Sequence, residues 1–230
     1  MVTAVLFDLY ETLVTERHTT PVRASSLGER LGLDAAAFRE AWNPQRVRVI
    51  CGEMSFAAAL LEIGAMLGRR LDAALIRDLS AERRVEKAAL LQRFDPVAFE
   101  VLRGLRNRGC RLAVISNCFA EDVAAWPRFP AAECFDTSVF SFEVGSAKPE
   151  PHIYLEAARR LEVEPSECVA IEDSDAGILA ASRAGMLALL VPDLKIPSGQ
   201  AIAAAFRVLG SLTEACHVIS TLIENGKSAG

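Results

Sequence analysis

The stretch CVAIEDSDAGILAASRAGMLALLV (Cys168–Val191) decides the fold. Cys168–Ile171 is an unbroken apolar run of strand length. Ala176–Ala184 repeats its apolar residues at helical spacing and stops at Gly185. Leu187–Val191 is a second apolar run, closed by Pro192. A strand, a helix and a strand in so short a span form a right-handed crossover between parallel strands. Strands apolar on both faces belong to a sheet covered on both sides.

The same rhythm extends outward. Upstream, Val97–Arg108 reads as a helix ended by Gly109, Arg111–Ser116 as a strand, Thr137–Ser141 as another and Pro151–Leu161 as a helix. Downstream come a short strand at Phe206–Leu209 and a final helix at Ser211–Ile223. Thr3–Asp8 is a buried strand near the start of the chain. Between it and Phe94-Asp95-Pro96 the pattern changes. Pro21–Gln92 carries four helical segments, with Pro44 interrupting the second and Arg46–Ile50 the one place that could be a strand. The expected fold is therefore α/β, a doubly wound, mostly parallel sheet with an inserted helical module. Residues 1–15 and 93–230 would form the core, and residues 16–92 the insert.

Composition narrows the classes. The chain has 230 residues, 51% of them hydrophobic and 24% charged, enough apolar content to exclude disorder. There is no repeat and no low-complexity tract. Mean hydropathy is +0.24, yet no apolar run is long enough to span a membrane, and the first residues predict no signal peptide. Net charge is −5, which argues against a nucleic-acid binder while leaving room for a local positive pocket. Six scattered cysteines without metal spacing predict reduced thiols in a cytoplasmic protein. Cys168 is expected to pack as a small hydrophobe, and Cys118 to stand beside the site without a catalytic role.

Polar residues gather where the buried strands end. Asp8 follows Val5-Leu6-Phe7, Ser116-Asn117 follows Leu112–Ile115, and Glu172-Asp173-Ser174 follows Val169–Ile171. Lys148 comes soon after the strand at Thr137–Ser141. In a parallel sheet these four points converge at the carboxyl edge, where ligands bind. A carboxylate nucleophile, a hydroxyl, a cation and an acidic pair suit an anionic small-molecule substrate with a metal.

Phe7-Asp8-Leu9-Tyr10-Glu11-Thr12-Leu13, Ile115-Ser116-Asn117, Lys148-Pro149-Glu150-Pro151 and Ile171-Glu172-Asp173-Ser174-Asp175-Ala176-Gly177-Ile178 resemble the four motifs of the haloacid dehalogenase superfamily. The insert matches that family's helical cap in position and size. The resemblance implies a hydrolase in which Asp8 attacks the substrate and forms a covalent aspartyl ester. Ser116, with Asn117 beside it, would hold the substrate. Lys148 would bridge Asp8 and the phosphate. Asp173 and Glu172, with Asp8 and the main-chain carbonyl of Tyr10, would hold Mg2+. Thr12 is expected to brace the loop after Asp8 and to stand among the substrate-binding residues. Arg46 in the cap would reach the substrate as the cap closes.

The motifs do not all point one way. Family phosphatases carry a second Asp where this chain has Tyr10, and a tyrosine is a poor acid near neutral pH. Glu11 could supply the missing carboxylate. Tyr10 is typical of the 2-haloacid dehalogenases, whose halide needs no proton to leave. Those enzymes use no metal and would gain nothing from Glu172 and Asp173. The readings are thus a Mg2+-dependent phosphatase of a small metabolite, a metal-free dehalogenase, and a pseudoenzyme or binding domain, as monomer or homodimer. His18, His152 and His217 carry no expected role, Trp42 and Trp126 are packing residues, and Glu82-Arg83-Arg84 reads as solvated helix surface.

Overall fold

A computed structural model describes residues 1–15, 24–193 and 196–228 of the chain. The boundary expected at residue 16, the start of the helical pattern at Pro21, and His18 lie outside those residues. Six strands form one parallel sheet: β1 (Ala4–Asp8), β2 (Arg111–Ser116), β3 (Thr137–Phe140), β4 (Cys168–Glu172), β5 (Leu187–Leu190) and β6 (Arg207–Val208), in the order β3-β2-β1-β4-β5-β6. The order reverses direction at β1, which pairs with β2 on one side and β4 on the other. Such a switch opens a crevice at the carboxyl ends of the strands.

Strand periodicity divides the core between two faces. Val5, Phe7, Val114, Val169 and Ile171 pack with α5 (Pro96–Asn107) and α10 (Leu212–Ser228). Ala4, Leu6, Ile115 and Ala170 pack with α7 (His152–Leu161), α8 (Asp175–Arg183) and α9 (Gly199–Ala204). Between β1 and α5 lie α1 (Ala24–Arg30), α2 (Ala35–Ile50), α3 (Phe56–Met66) and α4 (Ala73–Leu91). They share a separate apolar cluster around Phe38, Trp42, Phe56 and Ile63, into which Phe119 of the sheet side also packs. Trp126 is likewise buried.

Four expectations are corrected. α2 runs unbroken through Pro44, so Arg46–Ile50 is helix and not strand. Pro44 and Glu40 are both exposed, so the carbonyl deprived of its usual donor faces water. Trp42, Gln45 and Val49 bury the opposite side and hold the helix together. β3 stops at Phe140, because Ser141 opens the short helix α6 (Ser141–Val144). The Ser141 hydroxyl accepts from the Cys118 N–H at 3.2 Å and donates to the Ile50 carbonyl at 2.8 Å. The strand expected at Phe206–Leu209 shrinks to the two residues of β6 at the sheet edge. α9 had no strong sequence signal and is set by its Ser198 cap, whose hydroxyl takes the Ala201 N–H.

Candidate active site

Register fixes the site. Asp8 pairs with Ile115, beside Ser116, and Phe7 pairs with Ile171, beside Glu172. Three strand ends therefore place Asp8, Ser116 and Glu172 at one level. Lys148 arrives from the segment between α6 and α7. Asn117 fixes it there: the Asn117 amide donates to the Lys148 carbonyl at 3.1 Å, and its oxygen accepts the Lys148 N–H at 3.0 Å. The side chain of Asn117, expected to touch substrate, is committed to this positioning.

The Lys148 ammonium donates to both Asp8 and Glu172. Glu172 is fully buried and also accepts from the Tyr154 hydroxyl and, at 3.1 Å, from the Ser174 hydroxyl. The Tyr154 ring centroid is 5.6 Å from the Lys148 ammonium. Ser174 caps α8 by accepting the Gly177 N–H at 3.1 Å. A Cβ at Gly177 would fall 1.9 Å from the Glu172 carboxyl carbon, so only glycine lets the first turn of α8 close over that side chain.

The carboxylates act on one another. Burial raises the Asp8 carboxyl well above the usual carboxylate range; Lys148 opposes the rise, and the negative Glu172 and Asp173 add to it. Burial works against the Lys148 ammonium, but Asp8 and Glu172 outweigh it and hold it above its ordinary value. Tyr154 is raised by burial and by Glu172, so it stays a proton donor. Asp8, Glu172 and Asp173 each place a carboxylate oxygen within 4.8 Å of the others. All three offer oxygen, the donor that a hard cation such as Mg2+ prefers.

Several sequence-expected residues do other work. The Thr12 hydroxyl is buried and makes no hydrogen bond among the described residues, so it does not brace the loop after Asp8. Arg46 is exposed on α2 and makes no ion pair or hydrogen bond among the described residues, while Arg48 pairs with Glu62 at 2.9 Å. Arg46 makes no hydrogen bond or ion pair with Asp8 or Glu172. The Tyr10 hydroxyl donates to the Asp122 carbonyl at 2.8 Å, and the Lys87 ammonium lies 4.5 Å over the Tyr10 ring. Cys118 is buried, and burial pushes its thiol well above the ordinary value. His152 meets the Ser146 hydroxyl at 3.1 Å on the surface.

Arg83 corrects the reading of its run as solvated surface. Its guanidinium makes two bonds to the Asp122 carboxylate, at 2.6 and 2.9 Å, and lies 4.3 Å over the Phe119 ring. Arg83 and Lys87, one turn apart on α4, thus hold the inserted helices onto the loops that follow β2 and β1. Their four-residue spacing was visible in sequence. Their partners, far along the chain, were not.

Known proteins place this arrangement. The chain is 38% identical over 101 residues to a bifunctional riboflavin kinase/FMN phosphatase of Arabidopsis thaliana, a match that covers 43% of this chain and 27% of that protein. It thus spans about a quarter of that relative's length. It is 27% identical over 212 residues to a validoxylamine A 7'-phosphate phosphatase of Streptomyces hygroscopicus subsp. limoneus, covering 91% and 93% of the two chains. Its fold matches a β-phosphoglucomutase crystal structure from Clostridium difficile with a TM-score of 0.65 at 18% identity, over the whole of both chains. No helix among the described residues is long and apolar enough to cross a membrane. A family model for haloacid dehalogenase-like hydrolases matches residues 2–185, and with that match over most of its length the chain belongs to the haloacid dehalogenase-like hydrolase family.

Proposed function

We infer that the protein is a Mg2+-dependent phosphatase acting on a small phosphate monoester through Asp8. The observation that carries this reading is the cluster of buried Asp8 and Glu172 with half-buried Asp173, in which Lys148 bridges the first two. An Asp8 carboxylate oxygen attacks phosphorus, the bond from phosphorus to the leaving oxygen breaks, and that oxygen takes a proton. Water then attacks the aspartyl phosphate, and inorganic phosphate and the Asp8 carboxylate are released. Lys148 holds Asp8 in place and offsets charge on the transferring group. Ser116, at the end of the neighbouring strand, offers its hydroxyl to a phosphate oxygen.

Both Glu172 oxygens already accept protein hydrogen bonds. Asp8, Asp173 and the Tyr10 carbonyl would therefore hold the metal directly, with Glu172 acting through Lys148. When bound, Mg2+ supplies the positive charge that lets a dianionic ester approach a carboxylate. The helices α1–α4 act as a cap that closes over the cluster. A metal-free dehalogenase is favoured by Tyr10 alone. Against it stand the three clustered carboxylates, and Arg46, which is exposed on α2 and makes no ion pair or hydrogen bond among the described residues.

The test is release of p-nitrophenol from p-nitrophenyl phosphate and of chloride from 2-chloropropionate, each with Mg2+ and with EDTA. Nitrophenol release abolished by EDTA and by Asp8→Asn is the expected result. Chloride release indifferent to EDTA would replace this reading with the dehalogenase.

A further inference from the structure

The segment that leaves β2 is held by three different parts of the fold. Asp122 closes a turn on Phe119: its N–H donates to the Phe119 carbonyl at 3.0 Å, and its carboxylate accepts the Phe119 N–H at 3.1 Å. From the inserted helices, Arg83 makes paired bonds to the Asp122 carboxylate and lies 4.3 Å over the Phe119 ring. From the segment that leaves β1, the Tyr10 hydroxyl donates to the Asp122 carbonyl at 2.8 Å. Two residues before Phe119, Asn117 holds the main chain of Lys148. Tyr10 stands two residues after Asp8, and Lys148 bridges Asp8 and Glu172. The turn therefore lies between Arg83 on one side and two of the segments that carry reacting groups on the other.

Strength sets this contact apart from its neighbours. The side chains of Arg83 and Asp122 are 27% and 7% exposed, so their paired, charge-assisted bonds are little screened. Glu82, the residue before Arg83, pairs with Arg30, but those side chains are 47% and 40% exposed and the pair contributes little. We propose that Arg83 is a positioning residue: through Asp122 it holds Tyr10 and, along residues 117–122, Asn117 and Lys148. The seating of the inserted helices thereby sets the geometry around Asp8. This deepens the phosphatase reading and rests on it for the reaction. Arg83 bonds none of Asp8, Lys148 and Glu172, so its effect passes through the turn. A displacement of about 1 Å in a reacting group is enough to cost about a hundredfold in rate.

The experiment measures p-nitrophenyl phosphate turnover and amide hydrogen exchange in Arg83→Met, Asp122→Asn and the double variant. Arg83→Met keeps a long side chain over the Phe119 ring and removes the charge. In each single variant kcat falls about tenfold or more while KM changes less than about threefold. The double variant loses no more than either single one, as two halves of one contact should. Arg30→Met, which removes only the exposed pair, keeps the wild-type kcat. A kcat within about twofold of the wild type in Arg83→Met, an effect confined to KM, or losses that multiply in the double variant overturn the proposal. Exchange needs no turnover. In Arg83→Met the peptide containing Lys148 exchanges faster, because the Asn117 oxygen holds its N–H less firmly, while the β4 peptide Cys168–Glu172 is unchanged. Faster exchange confined to α4 and residues 119–122, or an equal rise in β4, overturns the proposal. Arg83→Lys, which keeps the charge without the paired donors, shows the same pattern to a smaller degree and replaces Arg83→Met if that variant does not fold. A wild type that hydrolyses no phosphate ester removes the phosphatase reading, and the exchange result then decides the role of Arg83 alone.

Discussion

Tyr10 stands two residues after Asp8 with its proton already given to the Asp122 carbonyl. A hydroxyl spent in this way does not protonate a leaving group, which ties the chemistry to the pKa of the departing alcohol. Tyr10→Asp should raise turnover of simple alkyl phosphates at least tenfold relative to p-nitrophenyl phosphate. It should also cost about 1 kcal/mol of stability from the lost hydrogen bond. Steady-state rates across a leaving-group series and urea titrations check both, and an unchanged leaving-group dependence would mean that the missing acid is not what limits the rate. Asp8, Ser116, Lys148 and the acidic pair were legible because each ends or follows a buried apolar run, and a parallel sheet brings such ends together. Thr12, Arg46 and Arg83 were not. What decides them is side-chain direction and partners on distant elements, neither of which local spacing encodes.

Elements set the limits on change around those residues. In α8, Gly177 is the condition for Glu172 to lie beneath the first turn. Gly177→Ala should destabilise the fold by about 1–3 kcal/mol, the range of an overpacked core, and lower kcat because Glu172 no longer orients Lys148. Denaturant midpoints and rates together test it, and a variant as stable and active as the wild type would contradict the close packing. On the outer face of α7, Arg159 and Arg160 both bond Glu156 at 2.8 Å and lower its carboxyl from 4.5 to about 2. A depressed folded-state value means the contribution is complete above about 4.5 and is lost as pH falls towards 2. The melting temperature of Glu156→Gln should therefore trail the wild type modestly at pH 6 and match it near pH 2. A gap that persists at pH 2 would assign it to packing. Elements with strong periodicity, such as α5, β2 and α8, were readable nearly to the residue. α2 was not, since its passage through Pro44 depends on a buried face supplied by α3.

Across the whole molecule, the cluster ties the ends of β1 and β4 to the Lys148 segment, α7 and the start of α8, so ligands there should stabilise the sheet and its helices together. Mg2+ with orthophosphate should raise the wild-type melting temperature, and Asp173→Ala should abolish the shift. An equal shift in both proteins would place metal binding elsewhere. The α/β class could be anticipated because the central strands β1, β2, β4 and β5 are apolar runs; how the inserted helices lie over the edge could not, since it is set by contacts such as Arg83 with Asp122. The central position of β1 also bears on synthesis. It precedes the other strands of this sheet in the chain, yet its partners begin only at Arg111 and Cys168. At about 5–20 residues per second, Val5-Leu6-Phe7 waits on the order of ten seconds for both neighbours. During that interval a segment fully buried in the finished protein is an unpaired apolar edge. The growing chain is therefore a natural client for a chaperone at the ribosome.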